Sequence, residues 1–243
     1  MHDLKMAEFE KSRWADSQFL KAYRDDADIY LPFRSLFIEM VKLFYKHFLS
    51  HKPGNRILDL GCGDGLFIHE LLKSYSPEIV VLVDGSQEML NAAKGRLKDY
   101  SNIQYLQASF QELPTKDPLS KDFDFIYSSL AIHHLSLEEK RDLYAYIYDH
   151  LSSGGYFVHY DVILPPTEKL EKWYLFLWKQ WIKEHPNYED RKELLGITEQ
   201  YKGNPDNTPD TLESQMKAMH EIGFQNVDCF FKYGIFSLFG GSK

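Results

Sequence analysis

Cysteine is scarce: Cys62 and Cys229 are the only two in 243 residues, and they form no paired motif. That excludes a disulfide scaffold and makes a reducing compartment, the cytoplasm, the expectation. Long apolar runs are missing as well. None reaches the roughly 18 residues of a membrane span, so no membrane partner is expected. The N-terminus lacks a basic segment followed by an apolar one, the pattern of a secretory signal. Clusters of Lys and Arg are short, and 28 basic against 36 acidic residues leave a formal charge of −8. A surface built for nucleic acid would be basic somewhere, so nucleic acid is not the expected partner. Repeats and low-complexity tracts are also absent. What is abundant is aromatic side chain, 15% of the sequence, and where it falls along the chain separates core from site. The length favours one domain with an appendage.

The first fifty residues read as helices. Phe33, Leu36, Phe37, Met40, Val41, Phe44 and Phe48 recur at helical spacing after Pro32. From Asn55 onward short apolar strands alternate with helices. Strands are expected at 56–60, 79–83, 103–107, 123–128 and 156–164, with a turn at 152–155. A helix at 64–74 follows the first strand. Ser86 caps the next helix, and Ser136-Leu137-Glu138-Glu139 is a capping box opening another. Continuous apolar strands alternating with helices mean a parallel sheet covered on both faces. After Pro165-Pro166 the alternation stops for a helix over 167–184 and polar chain to 207. Thr208 and Pro209 restart a helix that Gly223 ends, and two strands about Gly234 suggest an antiparallel hairpin. The division expected is a helical N-terminal cap (1–52), an α/β core (53–164), a helical lid insertion (165–207), and a C-terminal helix and hairpin completing the core (208–243).

Sheets of this kind bind ligands outside the carboxyl ends of their strands. At the first such end the chain reads Asp59-Leu60-Gly61-Cys62-Gly63-Asp64-Gly65. Glycines there permit a sharp turn and close backbone approach, and the following helix offers free N–H groups. A dinucleotide fingerprint wants its third glycine at position 66, where Leu66 stands. Asp59, inside the strand end, would repel a pyrophosphate and attract a cationic ammonium. Asp84, 23 residues beyond Gly61, occupies the place of an acid that accepts ribose hydroxyls.

These segments resemble the class I S-adenosylmethionine-dependent methyltransferases. The motifs are DLGCGDG at 59–65, LVDGSQEML at 82–90, QASFQELP at 107–114, FDFIYSSLAIHHL at 123–135 and LSSGGYFVHYD at 151–161. The resemblance implies an α/β fold with a Rossmann-like, seven-stranded, mostly parallel sheet, an antiparallel C-terminal hairpin, and helices on both faces. It implies S-adenosyl-L-methionine as cofactor. Gly61, Cys62 and Gly63 would line its methionine part, with Asp59 near the amino group. Asp84 would hold the ribose, and Gly85, Ser86 and Met89 would sit near the adenine. Where the family often has an acid for the adenine amino group, this chain has Ser109 and Phe110. Ser128 and Ser129 would end the fourth strand beside the sulfonium. Tyr23 and Arg34, from the N-terminal helices, would meet the cofactor's carboxylate end. Within the family the chain resembles a bacterial and archaeal subgroup of unassigned substrate, some members of which carry a wobble-uridine tRNA label.

His133 or His134 is a candidate general base, since histidine titrates near neutrality; Tyr160 and Asp161 are alternative polar groups. No third ligand stands at metal-binding spacing from the two histidines, so no metal is expected. Leu170, Trp173, Tyr174, Leu177, Trp178 and Trp181 form one helical stripe. It reads either as a lid whose Trp173, Tyr174 and Trp178 shape an acceptor pocket or as plain packing or a homodimer contact. The expected function is methyl transfer to a small apolar or aromatic acceptor. The alternatives are a tRNA wobble-uridine methyltransferase, which needs a basic face, and a non-catalytic cofactor-binding protein.

Overall fold

The computed structural model describes residues 26–243. Seven strands form one sheet: β1 (Arg56–Leu60), β2 (Ile79–Asp84), β3 (Ile103–Gln107), β4 (Phe123–Ser129), β5 (Leu151–Val162), β6 (Gln225–Tyr233) and β7 (Phe236–Ser242). Their spatial order is β3-β2-β1-β4-β5-β7-β6. The first five run parallel, whereas β7 pairs antiparallel with both β5 and β6. The chain moves outward from β1 to β3 and then returns to the other side of β1. That reversal opens a crevice at the carboxyl ends of β1 and β4.

Alternate side chains of each strand feed two cores. On one face Ile57, Val80, Leu82, Phe125, Tyr127 and Val158 pack beneath α1 (Arg34–Phe48), α2 (Leu66–Leu72) and α3 (Gln87–Arg96). On the other, Leu58, Leu60, Val81, Val83 and Ile126 pack with α4 (Leu113–Lys116), α5 (Leu137–His150) and α8 (Leu212–Ile222). Residues are apolar on both sides of β1, β2 and β4, and the strands are buried on both sides. Ser86 caps α3 by accepting from Met89 N–H, and Ser136 with Glu139 completes the capping box of α5.

Several boundaries move. α1 begins at Arg34, after Phe33 turns left-handed (φ 55°). The helix expected from Asp64 begins at Leu66, because Gly65 takes a left-handed φ of 72°. The turn expected at 152–155 is absorbed into β5, with Gly154 at φ 71° and a register shift opposite Phe123 and Phe125. The helix expected from Thr208 begins at Leu212, capped by Thr211. Thr208 instead bonds back to the end of the sheet. Its N–H donates to the His133 carbonyl (2.8 Å) and its hydroxyl to the Leu135 carbonyl (2.6 Å). The buried Lys140 ammonium donates to the Thr208 carbonyl (2.6 Å) and to Asp210 (2.5 Å). A buried charge needs such partners, and together these bonds strap residues 206–210 onto the sheet end.

The insertion contains α6 (Glu168–Lys183) and α7 (Ile197–Gly203). The α6 stripe is rotated from the one expected. Trp178 and Ile182 are buried, Tyr174 and Trp181 are half-buried, and Trp173 is 52% exposed. Trp178 donates its indole N–H to the Tyr30 carbonyl (2.6 Å) and meets Phe236 edge-on, while Trp181 meets Phe33. α6 therefore clamps the segment just before α1 to the hairpin. Trp178→Ala should cost about 3–5 kcal/mol, the usual range for an emptied aromatic site. Urea unfolding should show a lower midpoint with an unchanged slope.

Candidate functional site

The carboxyl ends of β1, β2, β4 and β5 open into a cavity of about 490 Å³. Its floor is the glycine turn. Leu60 pairs with Val83, and the N–H groups of Gly61 and Cys62 both donate to the Val83 carbonyl (2.8 and 3.0 Å). Gly61 adopts φ 71°, and a Cβ there would lie 2.5 Å from that of Ala131. Gly63 adopts φ 54° with nothing within 4 Å of where a Cβ would point, so the turn leaves an open notch. These two positions need glycine for different reasons, one for closeness and the other for conformation.

Asp84 ends β2 and grips both sides of the notch. Its two oxygens accept from Gly63 N–H and Ser86 N–H, each at 2.8 Å. Burial pushes the carboxyl up to about 6 against the pull of those two bonds. Asp59, 2% exposed beside it, is raised well above the ordinary range by burial and then by Asp84's charge. Cys62 also lines the cavity, and burial together with the neighbouring acids pushes its thiol up, away from the reactive thiolate.

Gly85, Ser86, Met89, Ser109 and Phe110 form the next wall. Ser109 is 6% exposed; its N–H donates to Glu112 (2.9 Å), and its hydroxyl lies beside the same carboxylate. Ser128 does not reach the cavity. Its hydroxyl donates to the Leu60 carbonyl (2.7 Å), tying β4 to β1. One residue on, the alternation of the strand turns Ser129 into the cavity instead.

The two histidines separate. His133 is held away from the lining: its Nδ1 lies 2.6 Å from Asp161 Oδ1 and its backbone N–H donates to Oδ2. Asp161 also takes Nε2 of the fully buried His159 (2.8 Å) and the N–H of Val162. Burial alone would raise Asp161, but attraction to and bonding with His133, joined by His159, hold it well below the carboxylate range. His134 lines the cavity, with Nδ1 2.9 Å from the Asp206 carbonyl. Tyr160 lines it too, its ring 4.0 Å from that of Phe37.

Arg34 is the only Lys or Arg among the described lining residues and pairs with Asp28 at 2.8 Å. Tyr23 lies outside the described residues. Trp173, Tyr174 and Trp178 are not among the described residues that line the cavity; α6 packs on the hairpin face. The wall also takes residues that the sequence did not single out for the site: Tyr127, inside the fourth-strand motif, and, outside any motif, Phe37 and Ile38 of α1 and Pro205 and Asp206. An inward-facing alternation marks Tyr127, but nothing local marks Asp206. Among the described residues no group of three or more His, Cys, Asp or Glu could hold a metal ion, and no helix is long and apolar enough to cross a membrane.

Residues 57–155 match the family described as methyltransferase domain. The chain is 22% identical over 237 residues to a carboxy-S-adenosyl-L-methionine synthase of Nautilia profundicola, covering 95% of this chain and 94% of that one. It is 32% identical over 79 residues to a malonyl-[acyl-carrier protein] O-methyltransferase of Halalkalibacterium halodurans, about a third of each chain (32% and 29%). An O-methyltransferase family protein from Burkholderia thailandensis superposes with a TM-score of 0.65 at 11% identity; the likeness spans 96% of this chain and 62% of that one. The glycine turn and the acid closing β2 thus lie inside the segment that matches a methyltransferase domain, and the strand order around them is the fold of the solved methyltransferases that the chain resembles.

Proposed function

We propose that the cavity binds S-adenosylmethionine across the glycine turn and that the protein transfers its methyl group to a small, partly apolar acceptor. The observation that carries this reading is Asp84, whose carboxylate spans the Gly63 and Ser86 amides beside the open notch. Each carboxylate oxygen keeps lone pairs beyond the one bond it accepts, and these suit a ribose diol. Asp59, buried at the strand end, suits the ammonium. The Ser109 hydroxyl suits the adenine edge, with Gly85, Ser86, Met89 and Phe110 around the ring. Cys62 lends its backbone to the turn, and Arg34 stands where a carboxylate would be met.

When bound, the cofactor supplies a methyl group already activated on a cationic sulfur. The chain's share is alignment and dryness. Holding both reactants in line is worth about 7–11 kcal/mol in favourable cases. Phe37, Tyr127 and Tyr160 supply apolar wall that excludes water from the transfer.

A second reading, synthesis of a carboxylated S-adenosylmethionine, is favoured by the full-length likeness to the Nautilia protein. Against it stands the lining. Asp64 is paired with Arg96 and burial favours the neutral form of Asp59, but Asp84, Glu139 and Asp206 still outnumber the one lining arginine, itself paired with Asp28, which makes a poor host for an anionic reactant. The same acids disfavour a tRNA acceptor. Incubation with methyl-labelled S-adenosylmethionine and a metabolite extract should yield S-adenosylhomocysteine and a labelled small product. A heavier, carboxyl-bearing form of the cofactor in mass spectra would establish the second reading instead, and neither product would leave only cofactor binding.

Asp84 also sets a pH dependence. Its ligand-free carboxyl holds a proton below about 6, and the diol needs the carboxylate. Affinity should therefore rise as pH climbs through about 6, changing up to about tenfold per unit below it. Titration calorimetry at pH 5 and 7 reads this directly. Asp84→Asn should weaken binding at pH 7 by about 1–3 kcal/mol and abolish the step near pH 6.

A further inference from the structure

We propose that the outward face of α6 docks on an anionic lipid surface, with Trp173 and Phe176 seated among the headgroups and the surrounding lysines pairing with the headgroup charges. The proposal is independent of what the cavity binds. At 3.6 residues per turn, Lys169, Lys172, Trp173, Phe176, Lys179 and Lys183 fall within about 120° of the helix circumference, and Gln180 is the only other α6 residue in that arc. No carboxylate of α6 shares the arc. Glu168 lies outside it, and Glu171 is on the opposite side, where it meets Tyr201 and Lys202. Trp173 and Phe176 are 52% and 55% exposed, more than any other Phe, Tyr or Trp among the described residues. Lys169, Lys172 and Lys183 are exposed as well. Lys179, at the edge of the arc, pairs with Glu199 at 3.2 Å.

The opposite side of the helix is already committed. Trp178 and Ile182 are buried, and the Trp178 indole is fixed to the Tyr30 carbonyl. The two outer rings are therefore not needed to hold α6 in place. Their surroundings narrow what can cover them. An apolar protein surface would have to bury the neighbouring ammonium groups along with the rings, which is costly without paired acids. A lipid interface accepts both: aromatic rings settle at headgroup level, and a lysine lays its stem along apolar surface while its ammonium reaches the phosphate. A single-stranded nucleic acid asks for a charged groove that tracks its backbone, and a convex helix face offers none. A further ammonium borders the face. The Tyr174 ring lies 5.5 Å from that of Trp173, and its hydroxyl accepts from Lys232 Nζ (2.8 Å).

The formal charge of −8 does not oppose this contact. Charges farther from the lipid than about 8 Å are largely screened at physiological ionic strength, so the sign of the touching face decides. No described helix is long and apolar enough to cross a membrane, so α6 lies on the surface. α6 also holds the segment before α1, whose Leu31 and Arg34 line the cavity, so the docked element is one packing layer from the site.

Flotation of the full chain with vesicles tests the proposal. Vesicles of phosphatidylcholine mixed with phosphatidylglycerol should carry the protein, vesicles of phosphatidylcholine alone should not, and added salt should release it. Lys169→Gln, Lys172→Gln and Lys183→Gln together should weaken partitioning by about 10²-fold, from roughly fivefold per lysine. Trp173→Ser with Phe176→Ser should weaken it by about tenfold or more. Neither set should move the urea midpoint, which separates lost docking from lost folding. In the wild-type protein, tryptophan emission should shift to the blue on the anionic vesicles, and Trp173→Phe should remove most of that shift while the protein still floats. The salt and emission readings need no variant beyond this last one, so they stand if a multiple variant misfolds. Failure to float with anionic vesicles overturns the proposal, as does flotation that survives either set of substitutions or a blue shift that survives Trp173→Phe. A pool of tRNA that displaces the protein from the vesicles at equal salt would make nucleic acid the occupant. A dimer in sedimentation that Trp173→Ser with Phe176→Ser dissolves would make it a second copy of the chain. Either result overturns the lipid assignment.

Discussion

A carboxylate buried at the end of a strand can stay charged only if backbone amides or a cation support it. Asp84 is supported by two amides, and their owners are the residues that shape the cavity: Gly63 at the notch and Ser86 at the cap of α3. The glycine turn folds back onto Val83, the residue before Asp84, so the turn, the acid and the helix start are one hydrogen-bonded unit. The rest of the cavity is arranged around that unit. Asp59 is raised partly by its charge, and the Ser109 hydroxyl and the Phe110 ring line the same cavity beyond Ser86.

What the sequence revealed about this architecture was local. Glycines before a helix, an acid after an apolar strand and a Ser-x-x-Glu box each express a constraint that operates within a few residues. These features and the strand alternation were all legible. The Ser128 and Ser129 pair was legible only as a pair. In a strand, neighbours face opposite sides, and the choice between them depends on which face packs on β1. The tryptophan stripe lies away from the cavity for a related reason. α6 is apolar over more than one face, so its periodicity says that it packs without saying against what. The hairpin and Tyr30 decide that, and they are far away in the chain.

The walls contributed by Phe37, Pro205 and Asp206 escape sequence reasoning altogether. No motif surrounds them, and each reaches the cavity through long-range packing: α1 lies over the sheet, and the strap is drawn in by Lys140 and Thr208. Such residues contribute little to the fold's identity and much to the shape of the space offered to a ligand. A fold's identity does not settle what its site accepts, and here the shape of the site is set as much by these distant walls as by the local unit of turn, acid and cap.

Lys140 has a consequence of its own. A fully buried ammonium with two oxygen partners makes a joint that is stiff while both bonds are made and costly to open halfway, since a half-solvated buried charge is stable in neither state. The strap it fastens carries the carbonyl that orients His134. A guest too bulky for the cavity cannot be admitted by a small yielding of that wall. It would have to unfasten the joint outright, so the reach of the cavity on that side is set by two hydrogen bonds from a single buried ammonium.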